Sequence, residues 1–260
     1  MLLSEYMGRK VKKIKPSQTT RLQQGGGKHK DFWNKEYKSS EHLALSMNVS
    51  EDLEKFITWL EREHGRKYLN PVAKVLDIGT GNGRNIIYLS NNFGMHGEGF
   101  DISEVAILEA DRNKEDLPIK FSVQSMSDPL PAKDGSVTLA LDMMTSHFLH
   151  KEEREKLLEE IVRVLRPDGW LFFKSFLADE DLHSKRLLKE NPSDEPGAYI
   201  HPKIGVHEHV WTEDDAKEFF APYFQIHKVV KSHKHINRGK IGEERAWKRR
   251  TFSMYLQKLS

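Results

Sequence analysis

The stretch that decides the fold is Val75-Leu76-Asp77-Ile78-Gly79-Thr80-Gly81-Asn82-Gly83-Arg84-Asn85. It begins as an apolar run with a β-branched residue, which is typical of a buried strand. Three glycines at alternate positions follow, and Ile86-Ile87-Tyr88-Leu89 can then begin a helix. A strand, a glycine turn and a helix present free backbone N–H groups to a ligand, and these groups favour an anionic part of it.

The spacing of the glycines excludes two common nucleotide sites. The Gly-x-Gly-x-x-Gly fingerprint is not matched because position 84 is Arg84, and the Gly-Lys-Ser/Thr of a P-loop is absent. Asp77 lies on the strand just before the turn, where a carboxylate repels a pyrophosphate and attracts an ammonium group. The ligand should therefore carry a cation and an anion close together, as the amino-acid end of S-adenosylmethionine does.

A second acid supports the same ligand. The segment from Glu98 to Ser103 reads as a second strand that ends in Asp101, 18 residues after Gly83. An acid about 20 residues beyond such a turn is placed to accept hydrogen bonds from both ribose hydroxyls of an adenosine. Asp77 and Asp101 together therefore predict S-adenosylmethionine as cofactor. The alternative is a glycine-rich turn with two incidental surface acids.

These two segments resemble motifs I and II of the class I S-adenosylmethionine-dependent methyltransferases, and the resemblance covers roughly residues 31–260. It implies an α/β fold with a Rossmann-like, seven-stranded, mostly parallel sheet, an antiparallel last strand and helices on both faces. It also implies an aromatic N-terminal segment that closes over the cofactor or substrate as a lid, for which ordinary packing is the alternative. The implied cofactor-binding residues are Trp33, Tyr37, Asp77, Gly79, Thr80, Gly81, Gly83, Asn85, Asp101, Ile102, Ser125, Met126 and Asp142.

The methyl acceptor should lie at the end of the predicted fourth strand, residues 137–141, followed by Asp142 and His147. Asp142 is a candidate base or orienting group, and His147 can accept a proton near neutral pH. Lys174 interrupts the apolar fifth strand. Asp142 and Lys174 resemble part of the catalytic set of RNA ribose 2′-O-methyltransferases, although the last strand here lacks their Glu. A structural ion pair between Lys174 and Asp142 is the alternative.

An insertion at residues 178–210 carries further candidates. His201, Glu208 or His209 is predicted to act as an acid–base or acceptor-binding group in a loop that faces the substrate. His207 and His209 also lie here, but their i, i+2 spacing fits neither a helical zinc pair nor a complete ligand set. We therefore predict no metal site.

The composition bounds the class of protein. The 260 residues suffice for one large α/β domain, with 37% hydrophobic and 31% charged residues. The absence of cysteine excludes disulfides, thiolate metal sites and cysteine catalysis. No apolar run approaches membrane-spanning length and no secretory signal is recognised, so a cytoplasmic location and no membrane contact are expected.

The charge is distributed unevenly. Residues 1–38 carry a net +7 and residues 226–260 a net +8, which leaves −13 on the segment between them. Residues 1–30 are predicted to be a basic flexible arm, and residues 31–260 a single domain with insertions at 178–210 and 231–250. The basic ends predict RNA or a ribonucleoprotein as partner, gripped through residues 1–30 and 231–250. Solubilising tails are the alternative.

Three functions follow from these patterns. The first is direct methyl transfer from S-adenosylmethionine to RNA or a ribonucleoprotein. The second is methyl transfer to nitrogen, oxygen or sulfur of a small metabolite through the His-rich insertion. The third is a catalytically silent cofactor-binding module that docks on a partner. The sequence identifies neither the accepting atom nor the oligomeric state.

Overall fold

The computed structural model describes residues 30–39, 46–232 and 249–260. Nine strands occur in this part of the chain: β1 Lys74–Ile78, β2 His96–Asp101, β3 Ile119–Val123, β4 Val137–Met143, β5 Leu165–Phe176, β6 Ala198–Ile200, β7 His207–His209, β8 Phe224–Lys231 and β9 Thr251–Lys258. Seven of them form one sheet in the order β3-β2-β1-β4-β5-β9-β8, and β6 pairs with β7 in a small separate sheet.

The sheet is parallel except at one edge. Strands β1 to β5 run parallel, and β9 pairs antiparallel with both β5 and β8. The predicted seven-stranded sheet with an antiparallel last strand is confirmed. The strand order reverses between β1 and β4, and a crevice forms at the carboxyl ends of the strands where such a reversal occurs.

Helices cover both faces of this sheet. They span residues 30–39 (α1), Glu51–His64 (α2), Arg84–Phe93 (α3), Glu104–Asn113 (α4), Lys151–Val164 (α5), Leu182–Glu190 (α6) and Glu213–Phe220 (α7). Helices α2, α3 and α4 contribute to an apolar core on one face, whereas α5 and α7 contribute to a core on the other. The predicted helices on both faces are therefore present.

Local sequence signals explain most helix starts. The predicted i, i+3, i+4, i+7 apolar positions of α2 are all buried. Ser103 accepts a hydrogen bond from Ala106 N at the start of α4, and Thr212 accepts one from Asp215 N at the start of α7. Ser50 occupies the N-cap position of α2, but its side chain makes no capping bond.

The insertion folds into α6, β6 and β7. Tyr199 and Leu187 are buried in a small third core between these elements. This core lies beside a 3₁₀ turn at Ser146–Phe148, which follows β4. No helix in the described ranges combines the length and apolar character that crossing a membrane requires. The predicted RNA-binding residues 1–29 and 233–248 lie outside the described residues.

Candidate active site

The glycine turn between β1 and α3 follows a path that only glycine tolerates well. Gly79, Gly81 and Gly83 have φ values of +65°, +57° and +79°. A Cβ on Gly79 would lie 2.2 Å from Thr145 Cγ2, and one on Gly81 would lie 2.3 Å from the Tyr37 hydroxyl oxygen. The turn therefore exposes backbone to a narrow space bounded by the segment after β4 and by α1.

Asp101 ends β2 and fastens this turn. One carboxylate oxygen accepts a hydrogen bond from Gly81 N at 3.0 Å, and the other accepts one from Ser103 N at 2.9 Å. Burial raises the pKa of Asp101, although these backbone donors oppose the rise. The carboxylate thus lies at the glycine turn and beside the start of α4, in the place predicted for a ribose contact.

Two further buried acids lie at the ends of β1 and β4. Burial raises the pKa of Asp77 to about 7, although Thr80 Oγ1 donates a hydrogen bond to it at 2.7 Å. Burial raises the pKa of Asp142 to about 6, although Ser146 N donates to it at 3.1 Å. Within the described ranges, neither carboxylate has a basic side chain within 4.0 Å. Arg84 lowers the pKa of Asp77 from a longer distance, but no cation of the described residues forms an ion pair with either carboxylate.

This arrangement fits S-adenosylmethionine. The ligand's ammonium and sulfonium groups would supply positive charge beside Asp77 and Asp142, and its carboxylate would suit the N–H groups at the start of α3. The narrow path at Gly79 and Gly81 would be filled by any larger side chain. Ile102, Ser125 and Met126 follow the neighbouring strands at the same edge of the sheet.

Asn85 is buried but also has a structural partner. Its Oδ1 accepts a hydrogen bond from Ser50 N at 3.0 Å, which ties the start of α2 to α3. Its predicted cofactor contact stays a prediction.

Helix α1 covers this space. Asn34 Oδ1 accepts a hydrogen bond from Ser103 Oγ at 2.8 Å, and Lys30 forms an ion pair with Glu104. Tyr37 reaches the glycine turn, and the Trp33 ring meets Phe148 edge-on at a centroid distance of 5.4 Å. The aromatic segment therefore spans from the cofactor turn to the segment after β4, as a lid would.

His147 lies in the 3₁₀ turn beyond Asp142. Its ring is packed between Phe148 and Phe176, at centroid distances of 4.0 and 5.3 Å. Burial lowers the pKa of His147 to about 3, so the imidazole is neutral at physiological pH. Its Nδ1 has no hydrogen-bond partner among the described residues. A neutral, buried imidazole of this kind can accept a hydrogen bond from a bound molecule.

Glu208 of β7 lies near His147 and is charge-compensated. Tyr199 donates a hydrogen bond to it at 2.6 Å, and Arg249 Nη1 donates one at 3.1 Å. Burial opposes ionisation, but His147, Tyr199 and Arg249 hold the pKa of Glu208 below its usual value. Arg249 also contacts Asp181 at 3.2 Å and lies over the Phe176 ring, 3.5 Å from its centroid.

The sequence did not indicate a role for Arg249 in the active site. It belongs to the basic segment 231–250, which was predicted to bind the phosphates of RNA. In the structure, Arg249 points inward to the acids of the insertion, and its neighbour Arg250 forms an ion pair with Glu180. The sequence feature that could have indicated these pairs is the presence of two adjacent acids, Glu180 and Asp181, in the insertion. Buried acids require partners, and the basic run supplies them.

The predicted ion pair between Lys174 and Asp142 is wrong. Lys174 Nζ lies 2.6 Å from Asp52 Oδ2 of α2. Asp142 of β4 is the neighbour of Phe173 in β5, so these two side chains lie on the same face of the sheet. Lys174 follows Phe173, and successive side chains of a strand point to opposite faces. Lys174 therefore faces α2 on the other side of the sheet. A catalytic partnership of Lys174 with Asp142 loses its geometric basis.

The side chains of the insertion separate into two groups. Glu208 contacts Tyr199 and Arg249 and lies close enough to His147 to affect its pKa. The neighbouring His207 and His209 face Glu195, a residue that the sequence did not single out. His201 lies at the turn after β6, 6.5 Å from the Tyr199 ring, and helps to lower the pKa of Glu208. His147 and Glu208 thus come together, and His201 lies at their edge.

Comparison with known proteins supports the same fold and family. Residues 75–169 match the family described as "Methyltransferase domain". The glycine/sarcosine/dimethylglycine N-methyltransferase of Actinopolyspora halophila is 28% identical over 221 residues, which are 78% of this chain and 38% of that protein. The phosphoethanolamine N-methyltransferase of Plasmodium falciparum is 28% identical over 134 residues, 51% of this chain and 47% of that protein. The chain thus spans less than half the length of these curated relatives.

A solved structure resembles the chain over nearly its whole length. The 1,6-didemethyltoxoflavin-N1-methyltransferase of Burkholderia thailandensis, with bound 1,6-didemethyltoxoflavin and S-adenosylhomocysteine, superposes with a TM-score of 0.65 at 19% identity. The match covers 96% of this chain and 94% of that one. At this identity the likeness concerns the fold, and it agrees with the matched domain and the sheet order. Residues 75–169 thus match a methyltransferase domain, and the chain as a whole has the Rossmann-like sheet order of the class I S-adenosylmethionine-dependent methyltransferases that it resembles.

Proposed function

We propose that this chain transfers the methyl group of S-adenosylmethionine to a nitrogen atom of a small molecule. The observation that carries the proposal is His147, a buried neutral imidazole beyond β4 whose Nδ1 has no partner in the described part of the chain. A neutral imidazole can accept a hydrogen bond from an acceptor N–H and so aim the nitrogen lone pair. Aromatic rings of Trp33, Phe148 and Phe176 surround this position.

The cofactor, when bound, supplies a methyl group on a positively charged sulfur that is a good leaving group. The protein then has to hold both reactants in line and exclude water. In this proposal, Asp77 and the glycine turn hold the methionine end, and Asp101 holds the ribose. Helix α1 and the β6–β7 hairpin cover the reactants. Glu208 and His201 complete the polar wall on the acceptor side.

The enclosed geometry and the relatives both favour a small acceptor. His147 and Glu208 are 2% and 4% exposed, which leaves them beneath the surface rather than in an open groove. The relatives reported above are named for N-methylation of glycine, sarcosine, dimethylglycine, phosphoethanolamine and 1,6-didemethyltoxoflavin. All of these acceptors are small molecules. An enclosed site such as the one around His147 and Glu208 suits an acceptor of that size.

RNA is the second candidate acceptor, and the net +7 and +8 of the two ends favour it. In the described part of the loop at 231–250, however, Lys231, Arg249 and Arg250 already pair with acids of the insertion and of α7. Those cations are compensated within the protein. An RNA acceptor therefore rests on residues 1–29 and 233–248 alone.

The test uses the full-length chain, radiolabelled S-adenosylmethionine and a lysate separated into RNA, protein and small-molecule pools. We expect label in small molecules, followed by turnover of one amine from a panel that includes glycine, sarcosine and phosphoethanolamine. His147→Asn should lose most turnover while still binding S-adenosylhomocysteine, and His96→Asn at an exposed position is the matched control. Label confined to RNA would refute the proposal. Normal cofactor binding without any transfer would favour the silent module.

A further inference from the structure

A second polar cluster lies on the other face of β7. Successive side chains of a strand alternate, so His207 and His209 point away from the side that Glu208 occupies. On that side they meet Glu195, from the loop before β6, and His150, the residue that precedes α5. His150 comes from a segment far in sequence from the insertion that carries Glu195, His207 and His209.

The geometry of this cluster is that of metal ligands. His207 Nε2 lies 3.5 Å from Glu195 Oε2, and His150 Nδ1 lies 4.0 Å from the same oxygen. One ligand atom from each of His150, Glu195 and His207 lies within 4.8 Å of the other two. His207 is 4% exposed, and neither of its ring nitrogens makes a hydrogen bond in the described structure. A buried imidazole that makes no hydrogen bond is costly unless something binds it.

We propose that His150, Glu195 and His207 bind a divalent transition-metal ion of the Zn²⁺ type. Two imidazoles and one carboxylate are donors that Zn²⁺ accepts, with solvent in the fourth position. Bonds of about 2.0–2.2 Å in a tetrahedral arrangement place such ligand atoms roughly 3.3–3.6 Å apart. The separations of 3.5 and 4.0 Å from Glu195 Oε2 approach this value, and small movements of the side chains would bring all three ligand atoms to it.

The surroundings of Glu195 orient it for this role. Its Oε1 is held by an ion pair with Arg154 and lies 3.0 Å from His209 Nδ1. Its Oε2 accepts a hydrogen bond from Lys151 N at 2.9 Å and faces the two imidazoles. Outer partners of this kind fix a metal-binding carboxylate, although the charge of Arg154 lowers the affinity for a cation.

A metal ion bound at His150, Glu195 and His207 would affect the acceptor side of the active site through strand β7. A bound ion would tie β7 to the start of α5 and to the loop before β6. Because Glu208 projects from the opposite face of β7, the ion would fix the position of Glu208 beside His147. The proposal does not depend on the identity of the methyl acceptor.

Direct binding of Zn²⁺ tests it. The untagged, chelator-treated full-length chain is titrated with Zn²⁺ against a chromogenic chelator, and we expect one equivalent to bind. His207→Ala and His150→Ala should each weaken binding by roughly 100-fold or more, since loss of an outer partner alone costs about 10–100-fold. The chain has no cysteine, so thiolates contribute nothing. His96→Ala and the double variant His233→Ala/His235→Ala are controls that should bind as the unchanged chain does.

Two outcomes would overturn the proposal. The first is that the unchanged chain does not bind one equivalent of Zn²⁺. The second is that the His150→Ala and His207→Ala variants bind Zn²⁺ as tightly as the unchanged chain does. His150 is 44% exposed, so its replacement should leave the fold intact even if His207→Ala does not. Circular dichroism checks the fold, and the visible absorption of bound Co²⁺ reports a tetrahedral site that a merely structural histidine cluster would lack.

Discussion

The buried acids on the two sides of the active site differ in how their charge is balanced. On the cofactor side, burial raises the pKa of Asp77 and of Asp142, and neither has a basic partner in the described ranges. On the acceptor side, Glu208 and Glu195 are also buried or nearly so, yet their pKa values are lowered. Burial opposes ionisation of both acids, but His147, Tyr199 and Arg249 lower the pKa of Glu208. His207, His209 and Arg154 lower the pKa of Glu195.

The comparison shows which side is complete without a ligand. The acids of the acceptor side pair with cationic or hydrogen-bonding groups of the protein itself, so their charge is balanced without a bound ligand. The cofactor side holds excess negative charge, which a cationic ligand would relieve. Cofactor binding is therefore expected to respond to pH and to the acids at β1 and β4, whereas the acceptor side should respond mainly to loss of its ion pairs.

The largest effect should come from Gly79→Ala. The new Cβ would lie 2.2 Å from Thr145 Cγ2 at a residue with φ +65°, so the turn or the segment after β4 must move. We expect affinity for S-adenosylhomocysteine to fall by about 100-fold or more. Gly135→Ala is the matched control, since its φ is +60° and no atom lies within 4 Å of its Cβ position. Isothermal titration calorimetry measures both, and equal affinities would contradict the assigned cofactor turn.

On the acceptor side, Arg249→Ala should destabilise the protein. It leaves Glu208 and Asp181 buried without their cation, which typically costs about 3 kcal/mol. Lys55→Ala, which breaks an exposed pair with Glu51, should change stability by less than about 0.5 kcal/mol. Urea denaturation compares the two. Similar small losses in both variants would mean that the acceptor side is not held by its ion pairs.

Asp101→Asn tests the acid that joins the glycine turn to α4. An amide supplies one acceptor where the carboxylate has two, so either Gly81 N or Ser103 N loses its partner. Affinity for S-adenosylhomocysteine should fall roughly 10- to 100-fold. Asp111→Asn, at an exposed position of α4, should bind as the unchanged protein does. A fall shared by both variants would point to general damage to α4.

The pH dependence should also distinguish the two sides. The pKa of Asp77 is about 7 in the folded protein against a usual 3.8, so the unfolded chain releases its proton first. The stability of the cofactor-free protein should therefore fall as pH rises from about 4 to 7. Affinity for S-adenosylmethionine should rise with pH over the upper part of this range, by at most about tenfold per pH unit. Asp77→Asn should flatten that rise, and a profile unchanged in the variant would contradict the assignment.

The smallest effect is expected from Lys174→Met. Lys174 pairs with Asp52 on the face of the sheet away from Asp142, so its loss should alter stability by about 1 kcal/mol and turnover by less than about threefold. Once an acceptor is known, the kcat of this variant is compared with that of Asp142→Asn. A large loss of kcat in Lys174→Met with unchanged stability would restore Lys174 as a catalytic residue.

Sequence patterns predicted the cofactor side better than the acceptor side, for a physical reason. Asp77, the three glycines and Asp101 follow consecutive strand ends, so local periodicity and spacing place them. His147 with Glu208, and Glu208 with Arg249, meet only after the insertion has folded onto the segment after β4. The ion pair between Lys174 and Asp142 does not form because the pairing of β4 with β5 sets Asp142 beside Phe173, and a single sequence does not reveal that register. Glu195 and His150 carry no local pattern at all.

The position of Tyr37 has a kinetic consequence. Its hydroxyl rests against Gly81, while Asn34 and Lys30 hold α1 to the start of α4. We therefore expect that α1 has to move before a cofactor reaches or leaves the glycine turn, and that an acceptor bound beside Trp33 would hinder this motion. Catalysis should follow an ordered sequence, with cofactor first on and its demethylated product last off, and the opening of α1 should limit the steady-state rate.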